Sequence, residues 1–267
     1  MFTAILRNIR LFFQGVVLSY IALFRWLQPS IYLATKVITP LFQILFFTFL
    51  GMFATGQENA DFYIIGNAIQ VTALSGIFGV TLSITGDRWE GILPYLFGTP
   101  ANRLTLFVGR AFMHVIDGML GVVIGLSWGV LLLDLDLSNT NLGALALTVF
   151  ITTFSTSGLG LLLGCLGLIT RNVMFINNTV YFLLLIFSGA NIPISTLPLA
   201  MQKISSAIPL TRGIASAREI IAGGNLDSIG TLLLTELGIG LIYGFFGYLL
   251  FRWFEIQAKR RGTLEVM

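Results

Sequence analysis

Three ionisable side chains, Arg110, His114 and Asp117, fall at i, i+4 and i+7 and so share one face of a helix. Within a membrane such a row offers a path for a proton or a charged substrate. The plainer reading is an Arg110–Asp117 pair near one end of the helix with His114 between, the two lying only about 10 Å apart at 1.5 Å per residue. Glu236 stands a short way into another apolar run, where it can pair with Arg212 or Arg218 or face a substrate. Other chemistry is scarce. His114 is the only histidine, which excludes multi-histidine metal sites and makes a Ser-His-Asp hydrolase hard to build. The phosphate-cradling loop G-x-x-x-x-G-K-[ST] is absent, so the chain cannot hydrolyse ATP alone. Cys165, the single cysteine, lies in an apolar run and reads as a small residue packed between helices. No catalytic, cofactor-binding or metal-ligating residue is expected.

The elements that must position these groups are membrane spans. Of 267 residues, 56% are hydrophobic and 10% charged, and the mean hydropathy is +0.90. A soluble domain carries roughly 25% charge. The chain is therefore an integral membrane protein, with no nucleic acid among its expected partners. Long Leu/Ile/Phe runs fit helices; the alternating segments of about ten residues that mark a β-barrel are missing. No cleavable signal peptide is evident, because no small-residue cleavage site comes after the first basic and apolar residues.

Residues 1–28, with Arg7, Arg10, Arg25 and Trp26 around a short apolar run, read as an interfacial helix on the cytoplasmic leaflet; a short additional span is the rival. The six spans are then Leu33–Ala54, Phe62–Ile84, Leu104–Leu133, Leu142–Ile169, Val173–Ser188 and Ile229–Phe251. The fourth carries Ser157, Gly158, Gly160, Gly164 and Gly167, small residues that let helix backbones approach closely in lipid. Between the fifth and sixth spans, residues 189–227 are too broken by Pro193, Pro198 and Pro209 to span and too apolar to float in water. Short re-entrant helices in the outer leaflet satisfy such a backbone. Residues 252–267 form a basic tail.

Lys and Arg set the orientation. With both termini inside, twelve of the fifteen lie on the cytoplasmic side, Lys36 and Arg110 among them, and only Lys203, Arg212 and Arg218 outside. The cytoplasm then holds residues 85–103, the most polar stretch between spans. It has a charged entry at Asp87, Arg88 and Glu90, an apolar ridge of Ile92, Leu93, Tyr95, Leu96 and Phe97, a stop at Thr99-Pro100, and a basic exit through Arg103 to Arg110. That is the pattern of a short amphipathic helix on the cytoplasmic face.

Two segments resemble the permease subunits of type-2 ABC exporters. Arg88-Trp89-Glu90-Gly91-Ile92-Leu93 and then Phe97-Gly98-Thr99-Pro100-Ala101-Asn102-Arg103 match that family's loop between spans two and three. Ser188-Gly189 with Pro193, then Leu197-Pro198, Pro209-Leu210 and Arg218, matches its signature after span five, which lies at the outer gate. Pro94 stands where many relatives have a Glu, so a carboxylate contact there is missing or taken over by Glu90. The resemblance implies a dimer of six-span subunits, homodimeric or with a close paralogue, in the cytoplasmic membrane. Two ATPase subunits, holding the ATP and Mg, would bind it, and Trp89–Phe97 would be the coupling helix seated in them. It also implies export of a substrate. The spans have few polar groups, which favours a hydrophobic or amphiphilic drug, antibiotic or lipid over a glycan. A secondary transporter would need coupling-ion ligands at the midplane, and an intramembrane enzyme a convergent nucleophile and base; neither set is found.

Overall fold

A computed structural model of the chain describes residues 9–17, 28–92, 95, 98, 102–168, 170 and 172–261. Among the described residues there is no strand. The first long helix, α1 (Pro29–Thr55), opens on a proline in its first turn, where a missing N–H costs nothing. The second span is one rod in three parts: α2 (Ala60–Ala73), a π-helical turn (Leu74–Gly79) and α3 (Val80–Trp89). Then come α4 (Arg103–Leu133), α5 (Leu142–Gly167), α6 (Val173–Phe187), α7 (Leu199–Ala207), α8 (Thr211–Ile221) and α9 (Leu226–Arg261). Among the described residues, five stretches are long and apolar enough to cross a membrane: Pro29–Thr55, Gln57–Trp89, Leu104–Leu133, Leu142–Gly167 and Leu226–Gln257. The apolar α6 has only 15 residues, about 22 Å of helix against a hydrocarbon core of about 30 Å.

Local sequence sets several boundaries. Asn102 caps α4 by accepting from the Leu104 and Thr105 amides at 3.0 and 3.3 Å, and Asn141 caps α5 through the Ala144 amide at 3.1 Å. Two boundaries differ from the sequence expectation. Trp89 ends the helix of the second span instead of starting a separate one. The last helix does not stop at Phe251 but continues through the basic tail to Arg261, since no residue there breaks a helix.

α5 is the axis of the bundle, packed by α3, α4, α8 and α9. Its small residues act as the sequence suggests: a Cβ on Gly160 would overlap the Gly76 carbonyl, and one on Gly158 the Gly240 carbonyl. Those contacts bring α5 against both the π-helical turn and α9. Thr148, Thr152 and Thr153 are buried here, and each hydroxyl donates to the carbonyl one turn back at 2.7–2.9 Å, so none of these three donors is left bare in the apolar core. The outward faces of α1 and α6 carry exposed phenylalanines, among them Phe42, Phe46, Phe53, Phe175 and Phe182.

Candidate functional site

The segment joining α3 to α4 is anchored at its base and exposes Trp89 and Tyr95. Arg88 Nη1 donates to the carbonyls of Leu168 and Thr170 at 2.9 and 3.3 Å, which ties α3 to the C-terminal end of α5. One residue on, Trp89 is 61% exposed. The helix then stops in a Schellman motif. Gly91 takes φ +68°, its amide donates to the Arg88 carbonyl at 3.2 Å, and the Ile92 amide donates to the Asp87 carbonyl at 2.8 Å. A helix running from Trp89 to Phe97 is therefore corrected: the left-handed Gly91 separates Trp89 from Tyr95. Tyr95 and Gly98 are helical, and Tyr95 is 79% exposed. Leu93, Pro94, Leu96, Phe97, Thr99 and Pro100 lie outside the described residues. Arg103 is the first residue of α4.

Asp117 and Arg110, read as a pair, are also corrected. Arg110 bonds to Asp87 of α3 and donates to the Ser83 carbonyl at 3.1 Å. Asp117 bonds to Lys36 of α1, its Oδ2 2.6 Å from Lys36 Nζ. The reason is distance: two residues seven apart on one helix are about 10 Å apart, while neighbouring helices present partners at contact. Asp117 also accepts from Ser75 of the π-helical turn at 2.6 Å and from the Tyr32 hydroxyl. Lys36 donates further to Ser75 Oγ at 2.8 Å and to the Asp117 carbonyl at 3.0 Å. Lys36 is thus not a flanking charge; it lies two turns inside α1. His114 is buried over Gly79, which has no side chain to oppose the ring, and its Nε2 has no hydrogen-bond partner among the described residues. The three residues of the expected row are not brought together.

The second segment converges on α2. Ser188 Oγ donates to Gln70 Oε1 at 3.2 Å, and Gly189 turns the chain at φ +81°. Arg218 of α8 reaches over to donate to the carbonyls of Phe62 and Ala190 at 2.8 and 3.1 Å, with its guanidinium 3.5 Å from the centroid of the Phe62 ring. Asn67 Nδ2 donates to Asn191 Oδ1 at 2.8 Å. Pro193 opens a short 3-10 turn whose Leu197-Pro198 end leads into α7, with Pro198 at the cap position. Pro209 precedes Leu210, which caps α8 at φ +84°. Glu236 is fully buried and explains that turn: its Oε1 accepts the Leu210 amide at 2.6 Å. The expected ion pairs of Glu236 with Arg212 or Arg218 do not form. Arg218 is held by backbone carbonyls, and Arg212 donates to the Ser206 carbonyl at 2.7 Å.

These two segments are the ones that carry the family resemblance, and comparison with known proteins decides it. A sequence model of the ABC-2 type transporter matches residues 13–222, from the N-terminal helical stretch to the end of α8. The chain belongs to the ABC-2 type transporter family. It is a multi-pass membrane permease. It is similar to the daunorubicin resistance ABC transporter permease protein DrrB1 of Streptomyces coeruleorubidus, at 25% identity over 78% of this chain and 75% of the relative. It is also similar to the probable multidrug ABC transporter permease YbhR of Escherichia coli K12, at 26% identity over 73% of this chain. The match spans 54% of that second relative, so the chain covers about half of its length.

In this ABC-2 permease, sequence reasoning found Arg88 and Arg218 but missed their partners, which are backbone carbonyls and leave no sequence signal. It also missed Lys36, Ser75 and Tyr32; a lysine inside an apolar helix was the available clue. A Gly-x-Ser-x-Gly string does occur, Gly125-Leu126-Ser127-Trp128-Gly129. It lies within α4, where Ser127 donates to the Val123 carbonyl at 2.7 Å. A hydrolase needs that serine on a strand-to-helix turn beside a histidine, so the string carries no such chemistry here.

Proposed function

We propose that this permease is the membrane half of an ATP-driven exporter, working as a dimer of six-span subunits with two separate ATPase subunits on its cytoplasmic face. The observation that carries the reading is the contrast within the α3–α4 segment: Arg88 is fixed to α5, while Trp89 and Tyr95 are bare. A partner gripping the exposed aromatics would move α3, α4 and α5 together, because the segment's base is bonded to all three through Arg88 and the Asp87–Arg110 pair. ATP-driven closure of the partners would thereby bias the bundle between inward- and outward-facing arrangements.

In this reading residues 1–28 lie along the cytoplasmic leaflet as an elbow, both termini are cytoplasmic, α6 is the fifth span, and α7 and α8 re-enter the outer leaflet. The substrate is hydrophobic or amphiphilic. The names of the two relatives support a drug. A secondary transporter gains nothing from the geometry, since Asp117 already accepts from Lys36, Ser75 and Tyr32.

A pull-down of the tagged chain from mild detergent tests the coupling. Wild type should carry an ABC ATPase with it. Glu90→Arg and Trp89→Ala should lose that ATPase while the permease dimer persists. An ATPase retained by both variants, or absent from an intact wild-type dimer, would sink the proposal.

A further inference from the structure

The half of the bundle nearest the basic tail has a groove that the α3–α4 segment and the buried charges do not use. It runs between α4, α5 and α9 as an apolar cavity of about 380 Å³. Gly158, Gly240 and Gly244 line it with Val108 and Phe245. Gly158 and Gly240 form the close α5–α9 contact behind it, while a Cβ on Gly244 would point into largely open space. Along α4 it extends from Leu104 to Val115, about 16 Å at the helical rise. Its lining runs along the helices over a length that takes most of an extended acyl chain.

A charged group lies beyond one end of the slot. The Phe107 ring lies 6.0 Å from the Tyr248 ring and 5.4 Å from the Phe251 ring, which fixes α4 and α9 at a common level. One step further along α9 is Arg252, a single turn from Tyr248, a lining residue, and on the same side of the helix. Arg252 and Lys259 both bond to the one buried carboxylate of Glu255, the latter at 2.8 Å, and Arg260 lies beyond them at the surface. Among the described residues, two cations sharing one carboxylate leave a net positive charge there. Trp253 is exposed beside it, as befits the depth of lipid headgroups.

We infer that this groove is a binding site for an anionic phospholipid, with one acyl chain in the α4–α5–α9 slot and the phosphate at Arg252 and Lys259. Charge complementarity selects the occupant. A neutral lipid would fill the slot equally well but leave the basic end unmatched, and basic pockets between membrane helices on the cytoplasmic side are where anionic headgroups bind. The site does not depend on the ATPase reading, and its test needs no ATPase.

Gly244 allows a clean test. A Cβ there meets only Gly158 Cα, at 4.0 Å, so Gly244→Leu fills the slot without prising α9 from α5. Val108→Phe fills it from α4. The purified, delipidated chain is titrated with phosphatidylglycerol or phosphatidylcholine and bound lipid is read by native mass spectrometry. Wild type should favour phosphatidylglycerol about fivefold, the factor for ~1 kcal/mol from the one net positive charge at the site. Arg252→Gln should erase that preference while both lipids still bind. Gly244→Leu and Val108→Phe should weaken both lipids about tenfold, the effect of excluding about two CH₂ groups. The inference is overturned by equal retention of the two lipids in wild type, or by filled-slot variants that bind like wild type. Loss of the dimer mass in those variants with lipid binding unchanged would also overturn it, since the groove would then be a subunit contact.

Discussion

Lys36 and Asp117 are 81 positions apart in the chain, yet they pair inside the bundle and share Ser75 as a further partner. Removing one member of a buried ion pair strands the other, which costs about 3–5 kcal/mol, whereas replacing both with apolar groups of similar size is often neutral. Lys36→Met and Asp117→Leu should each lower the detergent-denaturation midpoint markedly, and the double variant should recover most of the loss. If the double variant is as unstable as the sum of the singles, the pair is not the unit of stability. Glu236 sets a second residue-scale expectation. Its carboxylate holds the Leu210 amide in a turn at φ +84°, a region that non-glycine residues seldom occupy. Glu236→Leu should cost about 1–3 kcal/mol by baring that amide, whereas Glu236→Gln keeps an acceptor and should cost far less. Hydrogen exchange across Leu210–Ile214 separates the two, with fast exchange expected in the Leu variant alone.

At the scale of elements, helix ends and helix crossings rest on glycine for different reasons. Gly91 is needed for its backbone: a Cβ there meets nothing within 4 Å, but φ +68° is unfavourable for any other residue. Gly91→Ala should therefore cost about 1–2 kcal/mol without disturbing any packing. It should show as increased protease cutting between α3 and α4, with the global midpoint nearly unchanged. Gly160 is needed for space, since its Cα lies against the Gly76 carbonyl in the π-helical turn. The π-turn and the small-residue face of α5 are thus one device. Ser75, from the same turn, is what reaches Lys36 and Asp117, so the crossing that brings α5 in close also helps to position the buried charges.

At the scale of the whole molecule, the described long helices present many apolar side chains outward. Its only cysteine, Cys165, is buried, which makes a Cys165→Ser background suitable for mapping orientation. Glu58 and Arg260 are both exposed and lie in the loop after α1 and near the end of α9. In intact cells a membrane-impermeant maleimide should label Glu58→Cys, and should label Arg260→Cys only after permeabilisation. The reverse pattern would place the α3–α4 segment outside the cell and remove its access to a cytoplasmic motor.

Much of this could be read along the chain because a bilayer imposes a local rule: every backbone group in hydrocarbon must be bonded within its own segment. Apolar runs therefore become helices near the positions where they occur, and caps such as Asn102 and Asn141, or a stop such as Gly91, act within a few residues. The small face of α5 was legible for the same reason, as was the family resemblance carried by Arg88–Arg103 and Ser188–Arg218. Partners across helices were not. Arg110 meets Asp87 and not Asp117, Asp117 meets Lys36, and Glu236 meets a backbone amide, because each contact depends on how neighbouring helices are rotated and set in height. Periodicity fixes which face a side chain is on but not what stands opposite. Packing decided that, along with the apolar groove between α4, α5 and α9.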